Sequence, residues 1–284
     1  MEFPRTDVGG VSVSRMVIGT NWFLGFSHCT HAKDNYLREN VRNRRAMADI
    51  LEVFLNAGVD TLIGLITEPP LIEAMKEAED RTGRKIIVIS TPFLPITPET
   101  IAQGLDMGEV ERTMEEEARL GVSISLPHSG CTDRLLDRCT GEIRQMDKVV
   151  RVIRQYGMVP GLSTHMPESI IFADETGLDV ETYISIYNSL GFLMPIELDW
   201  TTNLIRNAKK PVLTIKPMAA GQLRPFPAFT FVWNTIRDQD MVAVGTMSPL
   251  EAKECIEISL SILENRRPDI SLQTTRSKQA LKTG

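Results

Sequence analysis

The sequence predicts a (β/α)8 barrel, and three observations carry this. Short apolar segments of strand length alternate with amphipathic helical segments along nearly the whole chain. Eight strands can be read, and strand–helix repeated eight times in 284 residues is the ordinary size of one such barrel. Three helices end in a glycine just before the next strand, at Gly58, Gly121 and Gly157, as helix C-termini do.

In chain order the strands are "VSVSRMVIG" (11–19), "VDTLIG" (59–64), "KIIVIST" (85–91), "VSISLPH" (122–128), "MVPGLS" (158–163), "TYISIYN" (182–188), "PVLTIK" (211–216) and "MVAVG" (241–245). The clearest helices lie between and after them, at "NRRAMADILEVFLNAG" (43–58), "EVERTMEEEARLG" (109–121), "QMDKVVRVIRQYG" (145–157) and "SPLEAKECIEISLSILE" (248–264). Ser248 is the N-cap of the last helix, with Pro249 at its first position and Glu251 in the capping-box place. No linker or low-complexity segment divides the chain, so residues 1–284 are expected to form one barrel domain. Residues 20–40 are expected as a long loop after the first strand, and 269–284 as a polar, loosely packed tail.

The composition narrows the function. Net charge is −6 and the pI about 5.4, which opposes a nucleic-acid or anionic-membrane partner because both need a concentrated positive field. The basic run "RENVRNRRA" (38–46) reads as a solvated helix face. The four cysteines, Cys29, Cys131, Cys139 and Cys255, contain no CxxC pair. There is no signal-peptide core and no membrane-length apolar run, so free thiols in a reducing cytoplasm and a small-molecule substrate are the expectation, with homo-oligomerisation left open.

In a (β/α)8 barrel the site lies at the C-terminal strand ends. All four histidines fall there: His28 and His31 after the first strand, His128 at the end of the fourth, and His165 two residues past the fifth.

These segments resemble a known family. "GVSVSRMVIGT" (10–20), "LGVSISLPHS" (120–129), "GMVPGLSTHMPESI" (157–170), "VLTIKPMAAGQL" (212–223) and "VAVGTMSPLEAKECIE" (242–257) are similar, in order, to the first, fourth, fifth, seventh and eighth strands of the aldo-keto reductases. The Gly-x-Ser-x-His after the fifth strand is that of a bacterial branch. The resemblance implies NADPH-dependent carbonyl reduction by a tetrad of Asp, Tyr, Lys and His, in which Tyr is the general acid. Of these four only His128 is in place. Ile63 stands at the Asp position, no tyrosine occurs between Tyr36 and Tyr156, and Thr91 stands where Lys is expected. Asp60 and Lys85 sit at the opposite strand ends. The basic residue that the family places near the start of the last helix has Lys253 as its nearest counterpart. NADPH reduction is therefore the less favoured reading.

Three alternatives remain. His28, His31, His128 and His165, with a nearby carboxylate, suit a divalent metal such as zinc that would polarise a carbonyl or activate water. Lys216, ending the seventh strand, would be an amine nucleophile or general base if desolvated, with His128 to shuttle the proton; His128, His165 and Lys216 are thus the catalytic candidates. The third is a non-catalytic ligand-binding barrel. Trp22, Glu68 and Asn188 are expected to contact the substrate; Glu197 and Asp199 are also near. Trp200 and Trp233 are expected to pack, and Cys131 to be a buried inert thiol.

Overall fold

The structure is a computed structural model and describes residues 2–271. Positions 272–284 of the expected tail lie outside the described residues. Within the part described, Ile270 packs against the core.

The chain opens with a hairpin of β1 (Arg5–Val8) and β2 (Val11–Ser14), paired antiparallel around Gly9 and Gly10. The barrel strands follow: β3 (Met16–Gly19), β4 (Thr61–Gly64), β5 (Ile87–Ser90), β6 (Ile124–Ser125), β9 (Val159–Pro160) continued by β10 (Leu162–Ser163), β11 (Tyr183–Ile186), β12 (Val212–Ile215) and β13 (Met241–Val244). Their parallel order is β10-β11-β12-β13-β3-β4-β5-β6-β9. Since β9 and β10 are two halves of one strand, joined through Gly161, that order runs round a nearly closed eight-membered barrel. A Cβ on Gly161 would stand 2.6 Å from Leu126 Cγ and 2.8 Å from Thr182 Cγ2, so only glycine lets the neighbouring strands approach here.

The strand alternation explains the two cores. Val17, Ile63, Ile89, Ile124, Leu126, Ile184, Leu213 and Ala243 point into the barrel and pack with Val8 and Val13 of the hairpin. Their neighbours Met16, Ile18, Leu62, Val88, Tyr183, Val212, Val242 and Val244 face the helices. Both faces are therefore apolar, as parallel strands buried on two sides require.

Around the barrel lie α1 (His31–Asn40), α2 (Arg44–Asn56), α3 (Pro69–Thr82), α4 (Pro98–Gln103), α5 (Met107–Arg119), α6 (Ser129–Leu135), α7 (Met146–Gln155), α8 (Glu168–Thr176), α9 (Leu198–Asn207), α10 (Pro225–Thr235) and α11 (Pro249–Leu263). A small hairpin, β7 (Leu136–Asp137) with β8 (Glu142–Ile143), follows α6. Gly58, Gly121 and Gly157 all have positive φ, just past the ends of α2, α5 and α7, as expected. Ser248 caps α11 by accepting from the Glu251 N–H.

Two expectations change. The first expected strand, 11–19, is broken at Arg15, whose guanidinium donates to the Asp240 and Arg237 carbonyls; its first half belongs to the hairpin rather than the barrel wall. The expected loop 20–40 carries a helix, α1, because Thr30 accepts from the Lys33 N–H and so starts one at His31. No helix of the described residues is long and apolar enough to cross a membrane.

Candidate functional site

A cavity of about 260 Å³ opens at the C-terminal strand ends. Its walls follow from strand parity. Along 124, 126 and 128 every second residue points inward, so the chain that buries Ile124 and Leu126 presents His128 at the mouth. The same step takes Ile89 to Thr91, Ser163 to His165 and Ala243 to Gly245.

Lys216 breaks this rule. Ile215 already faces the cavity, yet Lys216 lines it too, because its backbone is left-handed (φ 60°). Two further non-glycine residues of the same loop, Ala219 (φ 48°) and Ala220 (φ 56°), share that conformation. Three such residues in one loop are uncommon and each costs of order 1 kcal/mol or more. The Lys216 carbonyl accepts from the Ala219 N–H at 3.0 Å. The Cys29 thiol reaches across to the Ala220 carbonyl at 2.9 Å.

The electrostatics are one-sided. His28, His128, His165 and Lys216 all line the cavity, and among the described residues no Asp or Glu does. Among the described residues Lys216 forms no ion pair and no side-chain hydrogen bond. Burial lowers its pKa to about 8. The pKa of His165 falls to about 4, first through burial and then through Lys216, His128 and His28. That of His128 is lowered by burial and by Lys216. The Gly130 N–H donates to His128 Nδ1 at 3.0 Å. Nδ1 is thus an acceptor, and the neutral ring carries its proton on Nε2. Phe93 stacks on this ring with centroids 4.0 Å apart. At the rim, the Asn21 amide nitrogen lies 3.0 Å from His28 Nε2, which makes that nitrogen an acceptor as well. Asp133 of α6 holds the His165 turn: it accepts from the Thr164 hydroxyl at 2.6 Å and from the His165 N–H at 3.2 Å.

Of the residues singled out from the sequence, His28, His128, His165, Lys216 and Trp22 meet in this cavity. The others do not. His31 is exposed at the start of α1. Glu68 stands before α3 and pairs with Arg42 at 2.7 Å. Asn188 is buried, but both ends of its amide clamp the Phe192 backbone, at 2.8 and 3.1 Å. Glu197 and Asp199 do not line the cavity either. Asp60 is bound to Arg5 and Lys85 to Glu79, consistent with their placement away from the mouth. Trp233 packs as expected, whereas Trp200 is exposed. Cys131 is buried, its thiol pushed up by burial, in keeping with an inert role. Thr20, Asn21, Ser129 and Ser163 complete the polar wall; sequence reasoning missed them, although the parity of the strand ends marks Asn21 and Ser163.

The described residues give the metal expectation no support. Among the described residues no three His, Cys, Asp or Glu side chains are grouped to hold an ion. The cavity offers no carboxylate, two of its imidazoles already spend a ring nitrogen on protein donors, and His31 lies outside.

The eight-stranded parallel barrel, closed through Gly161 and opening on His128, matches many solved structures. A Pseudomonas aeruginosa protein assigned to the aldo-keto reductases superposes with TM-score 0.65 at 17% identity, over 91% of this chain and 95% of that one. A protein assigned as 2,5-diketo-D-gluconic acid reductase B gives 0.58 at 12%, over 96% and 95%. Aldose reductase from Giardia lamblia gives 0.52 at 12%, over 99% and 91%. The fold is that of the aldo-keto reductases. No protein-family model matches the chain, and no curated protein matches it.

The aldo-keto reductase fold implies NADPH, but the residues do not fit its phosphates. In such barrels phosphate sites form between the loops after the seventh and eighth strands and a helix N-terminus. Here the Trp22 ring lies between those loops: a methyl on Gly245 would stand 3.5 Å from it, and one on Gly221 4.0 Å. Lys33 covers the ring, its ammonium 5.1 Å from the centroid and 2.9 Å from Met247 Sδ. At the start of α11 the Glu251 carboxylate accepts from the Met247 N–H at 2.7 Å, placing a negative charge at that helix N-terminus, which disfavours an anion there. Lys253 faces an outer groove with Asp49, Glu52 and Glu257.

Proposed function

We propose that this protein is an enzyme acting on a small carbonyl compound through the Lys216 amine rather than through hydride transfer. The observation that carries this reading is Lys216 itself: a half-buried amine with no acidic partner, on a strained loop, at the mouth of the barrel. A pKa near 8 leaves a usable fraction of free amine at neutral pH, where an ordinary lysine has almost none.

The step is imine formation. The Lys216 Nζ lone pair attacks the carbonyl carbon, and the C=O π pair moves to oxygen. The His128 Nε2–H donates a hydrogen bond to that oxygen. A proton passes from nitrogen to oxygen, a second proton taken from solvent converts the resulting hydroxyl to water, which leaves, and C=N remains as a protonated iminium. Ketone, free amine and one proton give iminium plus water, so atoms and charge balance. The iminium withdraws electrons from the adjacent carbon, which is the chemistry of lyases and isomerases. Ile63 and Thr91 line the cavity where the resemblance called for Asp and Lys, and no tyrosine lines it, which supports a route without the reductase acid. A volume below the usual ~300–1,000 Å³ of ligand pockets favours a small substrate.

The test is reductive trapping with borohydride in the presence of pyruvate, glycolaldehyde phosphate or hydroxyacetone, read by mass spectrometry. The wild type should be labelled at Lys216, and Lys216→Arg should not be. The labelling rate should rise with pH about a midpoint near 8, because only the deprotonated amine attacks. Absence of labelling, or tight NADPH binding with turnover, would overturn the proposal.

A further inference from the structure

We infer that the substrate carries its own negative charge next to the carbonyl, as a 2-oxo acid does. This rests on the amine reading above and deepens it. Among the described residues the cavity walls hold one ammonium and three imidazoles, and no acidic side chain. Two carboxylates beside the cavity histidines are committed elsewhere. Asp34 accepts from the Ser27 N–H at 2.8 Å and from the Ser27 hydroxyl at 2.6 Å, and Asp133 holds the His165 turn. Lys33 adds a cation on the far side of Trp22.

A half-buried positive charge is stabilised by a partner within hydrogen-bond reach. Among the described residues none is supplied to Lys216, either as the resting ammonium or as the iminium that replaces it. The missing anion must come with the ligand. It must also lie close to the carbonyl carbon, because that is where the positive nitrogen sits after the step. A carboxylate on the adjacent carbon meets both demands; a phosphate farther along a chain does not. The surrounding groups suit it. His128 offers Nε2–H, and Thr91 and Ser163 offer hydroxyls.

The test is calorimetric binding of pyruvate, its neutral amide, lactate, hydroxyacetone and glycolaldehyde phosphate to the whole chain, with borohydride trapping run in parallel. Pyruvate and lactate should bind, and pyruvamide and hydroxyacetone should bind about tenfold or more weakly, the usual effect of losing a charge-assisted contact. Lysine-to-arginine substitution at 216 keeps the cation, so it should retain lactate binding and lose trapping. Lys216→Met should lose both, with circular dichroism showing that each variant is folded. Lactate binding without trapping of pyruvate would sink the imine reading and leave this inference standing. Neutral carbonyls that bind or trap as well as pyruvate would overturn the inference and leave the imine. Preference for glycolaldehyde phosphate over pyruvate, or no binding of either acid, would overturn it as well.

Discussion

At the scale of single residues, His128 and Glu117 have opposite fates. His128 is held by the Gly130 N–H so that its Nε2 proton is free for a ligand oxygen. Its replacement by Ala should slow trapping of pyruvate about 100-fold or more, the lower end of general acid–base effects, while the protein stays folded. Glu117 is buried on α5 with Oε2 unpaired, and burial raises its pKa to about 7. The sign follows from linkage. A carboxyl whose folded pKa lies above its unfolded value contributes stability that is fully present below about pH 4.5 and is lost as pH rises through 7. Glu117→Gln should therefore unfold at higher urea than the wild type at pH 8, by up to roughly 3 kcal/mol, with the gap closing at pH 5. The sequence made His128, His165 and Lys216 legible because each lies at or just past the end of a strand. It misplaced Glu68 and Asn188 for the same reason: a position near a strand end does not say whether the side chain points in, pairs with Arg42 or clamps a loop.

At the scale of elements, α11 separates stability from chemistry. Its cap is the Ser248 hydroxyl accepting from the Glu251 N–H at 3.2 Å. Ser248→Ala should cost about 1 kcal/mol in urea unfolding and leave Lys216 labelling unchanged, since the helix belongs to the outer ring. Caps and periodic faces of this kind could be read directly from the sequence, and α2, α5, α7 and α11 begin and end within a few residues of expectation. The opening hairpin could not be read as barrel strand and hairpin at once. Its signal, Gly9-Gly10 between apolar residues, was present but lay at the edge of the apolar run 11–19, and Arg15 splits that run only because its side chain finds carbonyls more than 200 positions away.

At the scale of the whole molecule, the barrel closes where one strand is interrupted. Gly161 is the point at which Leu126 and Thr182 come too near for any side chain. Gly161→Ala should lower the midpoint of urea unfolding by the equivalent of about 1–3 kcal/mol, as overpacking does, and near-ultraviolet circular dichroism would show whether the wall reseals. Closure was implied by counting eight strands; its weak point was not, since it depends on contacts between neighbours distant in sequence. The loop that carries Lys216 has a different consequence. A designer choosing residues from backbone conformation alone would write glycine at 216, 219 and 220. The resulting chain would be easier to fold and would lack the amine. Attempts to engineer a sturdier version of this protein should leave that loop alone, because there the sequence departs from what the backbone would choose.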